Sequence, residues 1–182
     1  MKKIILLLIT VFTIQIGNGQ EETLNNSIQK FIFPQNLNDN LSEQYIVLDI
    51  EGSPSELYNK VEDYVEKTYK NPSKVFLSKR DGEYIRIEGN SKLYDWAGTK
   101  HSVFHQIEFQ FKQNRIKVSI VDLNNGVYDI DDMCTYKYSH KSNGDEKKTK
   151  SKWVRAVLKG LNELMYDMYL GFNDNSKQND DW

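Results

Sequence analysis

His105 and Asp122 come nearest to a catalytic pair in this chain. Alternation across an expected second hairpin places them opposite each other on an otherwise apolar face. A carboxylate that orients an imidazole is half of a hydrolase constellation. The nucleophile is missing, because the nearby Ser119 points to the other face. The pair reads instead as a hydrogen-bonded structural plug where the sheet meets the end of a helix. Asp129, Asp131, Asp132, Cys134 and His140 bring metal-ligand atoms into one loop. Their spacing has no EF-hand glycine and terminal glutamate, and no paired Cys or His motif. A solvated acidic loop without metal is expected there. Phosphate loops, nucleophile elbows and zinc-protease motifs are absent, so neither catalysis nor a cofactor is expected.

Binding chemistry has two candidate locations. Lys141, Lys147, Lys148, Lys150, Lys152, Arg155 and Lys159 face only Asp145 and Glu146 in the same stretch. Several stand at the start of an expected helix, where the macrodipole disfavours positive charge. A broken local rule can mark a functional site, here for an anionic envelope surface, a glycan or a protein partner. The plainer reading is a solvated lysine-rich loop. The second candidate is apolar. Phe109, Phe111, Trp153, Met165 and Met168 form a soft aromatic layer between the last helix and the sheet. Such a layer can open for a small apolar ligand, or simply be core.

These residues must be positioned by a small set of elements. YIVLDI, residues 45–50, reads as a strand. EGSPSELYNKVEDYVEKTYKNPSKV, residues 51–75, supplies a complete helix. Ser53 is the N-cap, Pro54 the first helical residue, and Glu56 closes a capping box. Leu57, Val61, Tyr64, Val65 and Thr68 mark its inner face, and Pro72 stops it. Asp81-Gly82 signals a two-residue turn between strands 75–80 and 83–93, pairing Arg80 with Glu83, Ser78 with Ile85 and Phe76 with Ile87. Strands 103–112 and 115–122 turn at Gln113-Asn114 and pair Phe111 with Ile116, Phe109 with Val118 and Ile107 with Ile120. Arg86, Glu88, Glu108, Gln110, Lys117 and Ser119 fall on the wet face, suited to solvent or to a polar protein interface. Residues 123–150 read as a polar connection in which MCTYKY adds a strand. A final helix spans roughly 152–170, with Val154, Val157, Leu158, Leu161, Leu164, Met165 and Met168 on its apolar stripe.

The expected fold class is α+β: one antiparallel sheet in the order β-α-β-β-β-β-α, with both helices on its apolar face. That domain occupies 44–170. It is preceded by a signal peptide over 1–19, with Lys2 and Lys3 before an apolar run and Gly17-Asn18-Gly19 before Gln20. A polar leader over 20–43, with a short strand at 29–33, and a flexible tail over 171–182 complete the division. Removing Lys2 and Lys3 leaves 22 basic against 26 acidic residues, about −4 overall, which argues against nucleic-acid binding. The single Cys134 allows no internal disulfide. The apolar run is too short to remain as a membrane span. An exported protein, periplasmic or extracellular, is expected.

The strand before EGSPSELY, the helix ending KTYKNPSKV and the following DGEYIRIEG, together with the signal peptide, resemble the bacterial exported family called domain of unknown function 4468. The resemblance spans residues 45–122 and, more loosely, the last helix. It implies a TBP-like fold and carries over no catalytic residue. A noncatalytic, envelope-associated binding or interaction module is the expected role, with a carrier of a small apolar ligand as the alternative. Its partner is an unknown envelope component or protein.

Overall fold

The computed structural model describes residues 29–36, 39–41 and 43–174. The signal peptide expected at 1–19 lies outside the described residues, as do 175–182. The chain builds β1 (Tyr45–Asp49), α1 (Pro54–Thr68), α2 (Pro72–Val75), β2 (Phe76–Arg80), β3 (Tyr84–Trp96), β4 (Thr99–Lys112), β5 (Arg115–Asn124), α3 (Ile130–Met133), α4 (Tyr136–Ser139) and α5 (Lys148–Asn173). The five strands form one antiparallel sheet in the order β1-β5-β4-β3-β2. The long helices α1 and α5 cover its apolar face. The α+β, TBP-like architecture expected from the sequence is the one observed.

Local chemistry explains α1. Ser53 Oγ accepts from the Glu56 amide, the Glu56 carboxylate accepts from the Ser53 amide, and Pro54 starts the helix. The Ser53 amide and hydroxyl hold the Glu56 carboxyl below its usual range. Leu57, Tyr58, Val61 and Val65 are buried, while Thr68, expected on that face, is exposed.

Three β-bulges adjust the sheet. The first hairpin turns through three residues, with Gly82 at φ +65°, so Arg80 pairs with Tyr84 and Ser78 with Arg86. The expected pairs Arg80–Glu83 and Ser78–Ile85 are therefore corrected. A bulge at Leu77 restores phase, and Phe76 does face Ile87. Between β3 and β4, Ala97 and Gly98 make a two-residue turn at φ 51° and 78°, extending both strands beyond their expected ends. A bulge at Leu93 then turns both Leu93 and Tyr94 inward.

The third bulge corrects the expected His105–Asp122 pair. From Phe111–Ile116 through Ile107–Ile120 the register is as expected. Beyond that point β5 carries an extra residue, so His105 faces Leu123 and Asp122 faces Gln106. His105 points inward and Asp122 outward, where its carboxylate accepts from Asn124 Nδ2 at 2.8 Å. The plug exists with other partners. His105 Nε2 lies 3.0 Å from Ser91 Oγ, and the ring passes over Gly89, where a Cβ would fall 2.6 Å from His105 Cε1. The Tyr69 hydroxyl, from the residue that ends α1, closes the same space. Burial pushes that phenol up to about 12. His105 is fully buried, and its Nδ1 has no hydrogen-bond partner. Burial drives the imidazole down to about 4; its own carbonyl, though outside hydrogen-bond geometry, and Glu88 pull weakly the other way.

Two further expectations are corrected. MCTYKY adds no strand: it spans the end of α3 and most of α4, with Asp129 and Thr135 capping these short helices through their side chains. Residues 29–33 form no strand, yet Phe31, Phe33 and Leu41 of the expected leader are buried in the core. At the other end α5 runs to Asn173 and buries Phe172.

The two layers come into close backbone contact where α5 crosses the Leu93 bulge. A Cβ on Gly160 would overlap the Leu93 carbonyl oxygen, a backbone atom that cannot swing aside as a side chain would. Gly160→Ala is expected to cost about 3 kcal/mol or more, above the typical overpacking penalty, in urea unfolding. His105 generates a pH dependence. Between pH 4 and 6.5 the unfolded imidazole holds a proton that the folded one lacks, so stability rises with pH across that window. Full stability above pH 6.5 should fall by up to about 3 kcal/mol on acidification to pH 4, and His105→Gln should remove that component. An NMR titration giving His105 an ordinary pKa would contradict this.

Candidate functional site

The buried plug does not assemble hydrolase chemistry. Ser91 and His105 stand at nucleophile–base distance, but the base is sealed from solvent and nothing orients its Nδ1. A triad needs an acceptor at that nitrogen and a nucleophile open to substrate. The acidic loop is likewise used locally. Asp129 Oδ1 accepts from the Asp131 and Asp132 amides, and His140 stacks on Tyr136 at 3.9 Å. Cys134 is buried, which raises its thiol well above the usual range. Among the described residues no three His, Cys, Asp or Glu side chains are placed to share a metal ion.

The basic segment is brought together, but much of it is engaged. The Lys147 ammonium donates to the Lys137 and Tyr138 carbonyls at 2.8 and 3.3 Å. Lys150 lies 4.3 Å from the centroid of the Tyr138 ring. Arg155 pairs with Glu146 at 2.7 Å while its guanidinium lies 3.9 Å from the Phe33 ring centroid. Only Lys148 and Lys152, of the five candidates, are exposed without a partner among the described residues.

The candidate lining separates into clusters. Phe109 meets the edge of Phe172, Phe111 meets Tyr58, and Trp153 sits between Tyr94 and Tyr138. Trp153 and Phe172 lie about 28 Å apart along α5 at 1.5 Å per residue. Met165 and Met168 are buried between these ends. The five residues pack as parts of a continuous core.

A different site lies on the outer face of the sheet. Pairing across four strands sets Tyr84, Gln110, Lys117 and Val47 in one row, with Lys112, Arg115 and Asp49 in the next. Tyr45 stands one row further along β1, three strands from Tyr84, or about 14 Å at normal strand spacing. Between the two tyrosines lies a concavity of about 650 Å³ floored by Gln110, Lys112, Arg115 and Lys117. Lys117 Nζ is 4.5 Å from the centroid of the Tyr45 ring and holds it in place. Glu108 is already satisfied by Arg86 at 2.6 and 3.1 Å and by Gln110 at 2.8 Å, and Glu83 by Arg80 at 3.0 Å. The remaining Arg115–Asp49 pair, at 3.4 Å, is largely exposed on both sides and therefore weak. Lys112 has no partner among the described residues. Around this concavity Lys112, Arg115 and Lys117 thus outnumber Glu83 and Asp49, in a chain that is negatively charged as a whole. Sequence reading placed Gln110 and Lys117 on the wet face but missed the site, because Tyr45 and Tyr84 join it only through the order β1-β5-β4-β3.

No protein-family model and no curated protein matches this sequence. Solved structures resemble it, two of which follow. A DUF4468 family protein from Bacteroides ovatus has a TM-score of 0.57 at 15% identity, covering 74% of this chain and 88% of its own. A TBP-like protein from Parabacteroides distasonis has a TM-score of 0.52 at 15% identity, covering 72% and 92%. At that identity the likeness is one of architecture: this chain has the TBP-like α+β fold found in a DUF4468 family protein.

Proposed function

We propose that this protein is a noncatalytic binding module of the cell envelope or extracellular space, and that it holds an anionic glycan on the outer face of its sheet. The observation that carries this reading is the surplus of cations between Tyr45 and Tyr84 on a surface that covers no core. Lys112, Arg115 and Lys117 suit carboxylate or sulfate groups, Gln110 suits hydroxyls, and the tyrosine rings suit the flat faces of sugars. Export is supported by the charged and apolar pattern of residues 1–19. The enclosed imidazole of His105 supports a role without catalysis.

The test is binding to immobilised polygalacturonate and to heparin, measured against salt. Wild-type protein should bind at low ionic strength and weaken as salt rises. Lys112→Gln with Lys117→Gln should weaken binding at least tenfold, each charged hydrogen bond being worth about 1.5 kcal/mol. The same double variant should also show a shallower salt dependence. Lys148→Gln with Lys152→Gln should leave affinity unchanged. Loss of binding in that second variant alone would move the site to the basic segment. No binding by the wild type to either polymer would overturn the glycan reading.

A further inference from the structure

Residues 29–33 are held in the way an extended peptide is held by a receptor, although they belong to the same chain. Their main chain joins no strand ladder. Side-chain amides read it instead. Asn162 of α5 accepts from the Phe31 amide at 2.9 Å and donates to the Phe31 carbonyl at 3.1 Å. Gln44, just before β1, repeats this double contact on Ile32 at 2.9 and 3.1 Å. Gln29 in turn accepts from the Val47 amide on the edge of β1 at 3.0 Å. Side chains alternate as they do in strand-addition complexes. Phe31 is 3% and Phe33 9% exposed, while Ile32 between them is 60% exposed. Phe33 is gripped from two sides, by the Arg155 guanidinium at 3.9 Å and by the His140 ring at 5.6 Å.

We infer that this groove, between the β1 edge and α5, also accepts residues 29–33 of a second copy, giving a segment-exchanged dimer. The groove residues Gln44, Arg155 and Asn162 all remain with the receiving body, so exchange recreates every contact just described. What must open is the connection over 34–43, ahead of Gln44. It is closed by a surface turn in which the Asp39 carboxylate accepts from the Gln35 and Asn36 amides at 2.6 and 2.8 Å, by the Gln44 amide donating to the Leu41 carbonyl at 2.9 Å, and by the burial of Leu41. Opened, those ten residues reach about 33 Å. In the monomer the short connection presents the segment at an effective concentration in the millimolar range. The closed monomer therefore dominates at micromolar protein, and exchange needs millimolar protein or refolding in a concentrated solution.

The test uses the full chain. Protein refolded at about 1 mM and then diluted should show a dimer by native mass spectrometry that reverts slowly. Mixing isotope-labelled and unlabelled chains before refolding should give the mixed species. Phe31→Ala with Phe33→Ala should reduce the dimer at least tenfold, and so should the milder Asn162→Leu, which spares the aromatic core. Wild-type monomer gives an independent readout by amide exchange. The Phe31 and Ile32 amides should exchange at least a hundredfold faster than the core amides of Ile107 and Val118, through an opening that leaves the sheet intact. A purely monomeric product, a dimer retained in both variants, or a segment that exchanges only with global unfolding would each overturn the inference. None of these results depends on glycan binding.

Discussion

The close crossing of α5 over β3 fixes most of what this fold can do. Gly160 lets the helix backbone approach the carbonyl of the Leu93 bulge, and neither partner can be displaced by a rotamer change. With the layers set at that distance, side chains on either side of the crossing must be fitted to the gap. Val154, Val157, Leu161, Met165 and Phe172 fill it along the length of α5. The same crossing fixes where the flanks of the helix lie. Ser151 donates to the Ser139 carbonyl at 2.9 Å and ties down α4, while Arg155 and Asn162 receive Phe33 and Phe31. In a chain with a single buried cysteine, this interdigitation takes the place of a covalent tie.

The buried side chains form one hydrophobic cluster, and the search for function moves to the surface. The inner face is apolar and continuous, whereas the outer face carries charges that sort into satisfied and unsatisfied sets. Arg86, Glu108 and Gln110 neutralise one another at the centre. Toward the β4–β5 turn the cations Lys112, Arg115 and Lys117 outnumber the neighbouring acids Glu83 and Asp49. The edges of the sheet are guarded separately. The side-chain amide of Gln29 in the N-terminal segment meets β1, and β2 is short, bulged and charged, with Lys79 paired to Glu62. Lateral association by strand pairing is thereby suppressed, and the outer face is left as the open surface of the sheet.

The legible parts of the sequence were those governed by local rules. Ser53, Pro54 and Glu56 announce α1 because caps act over three residues. Phe111, Phe109 and Ile107 meet Ile116, Val118 and Ile120 because alternation fixes register near a turn. Bulges escape such reading. One inserted residue reverses the phase of everything beyond it, which is how His105 and Asp122 came to opposite faces. Alternation within each strand stays plausible on both sides of the break, so only the partner strand reveals it. The turn at Ala97-Gly98 was hidden for another reason: its first residue takes a positive φ that alanine seldom adopts. The candidate glycan site was invisible because it depends on which strands become neighbours, a long-range property.

The lysines at the start of α5 show how a broken local rule can have a structural resolution. Positive charge at a helix N-terminus opposes the macrodipole. Lys147 is the N-cap there, but its ammonium turns back to the carbonyls of Lys137 and Tyr138, in the preceding short helix. The charge is thus drawn from the positive end of one helix toward main-chain acceptors of another, while its backbone amide donates to the Ser139 carbonyl at 2.7 Å. Arg155, about two turns further on, spends its charge on Glu146 and its flat face on Phe33. The apparent anion site is therefore largely a seam that joins α4, α5 and the N-terminal segment. Apart from Lys148 and Lys152, the unpartnered cation Lys112 lies on the opposite layer of the molecule, beside Arg115 and Lys117.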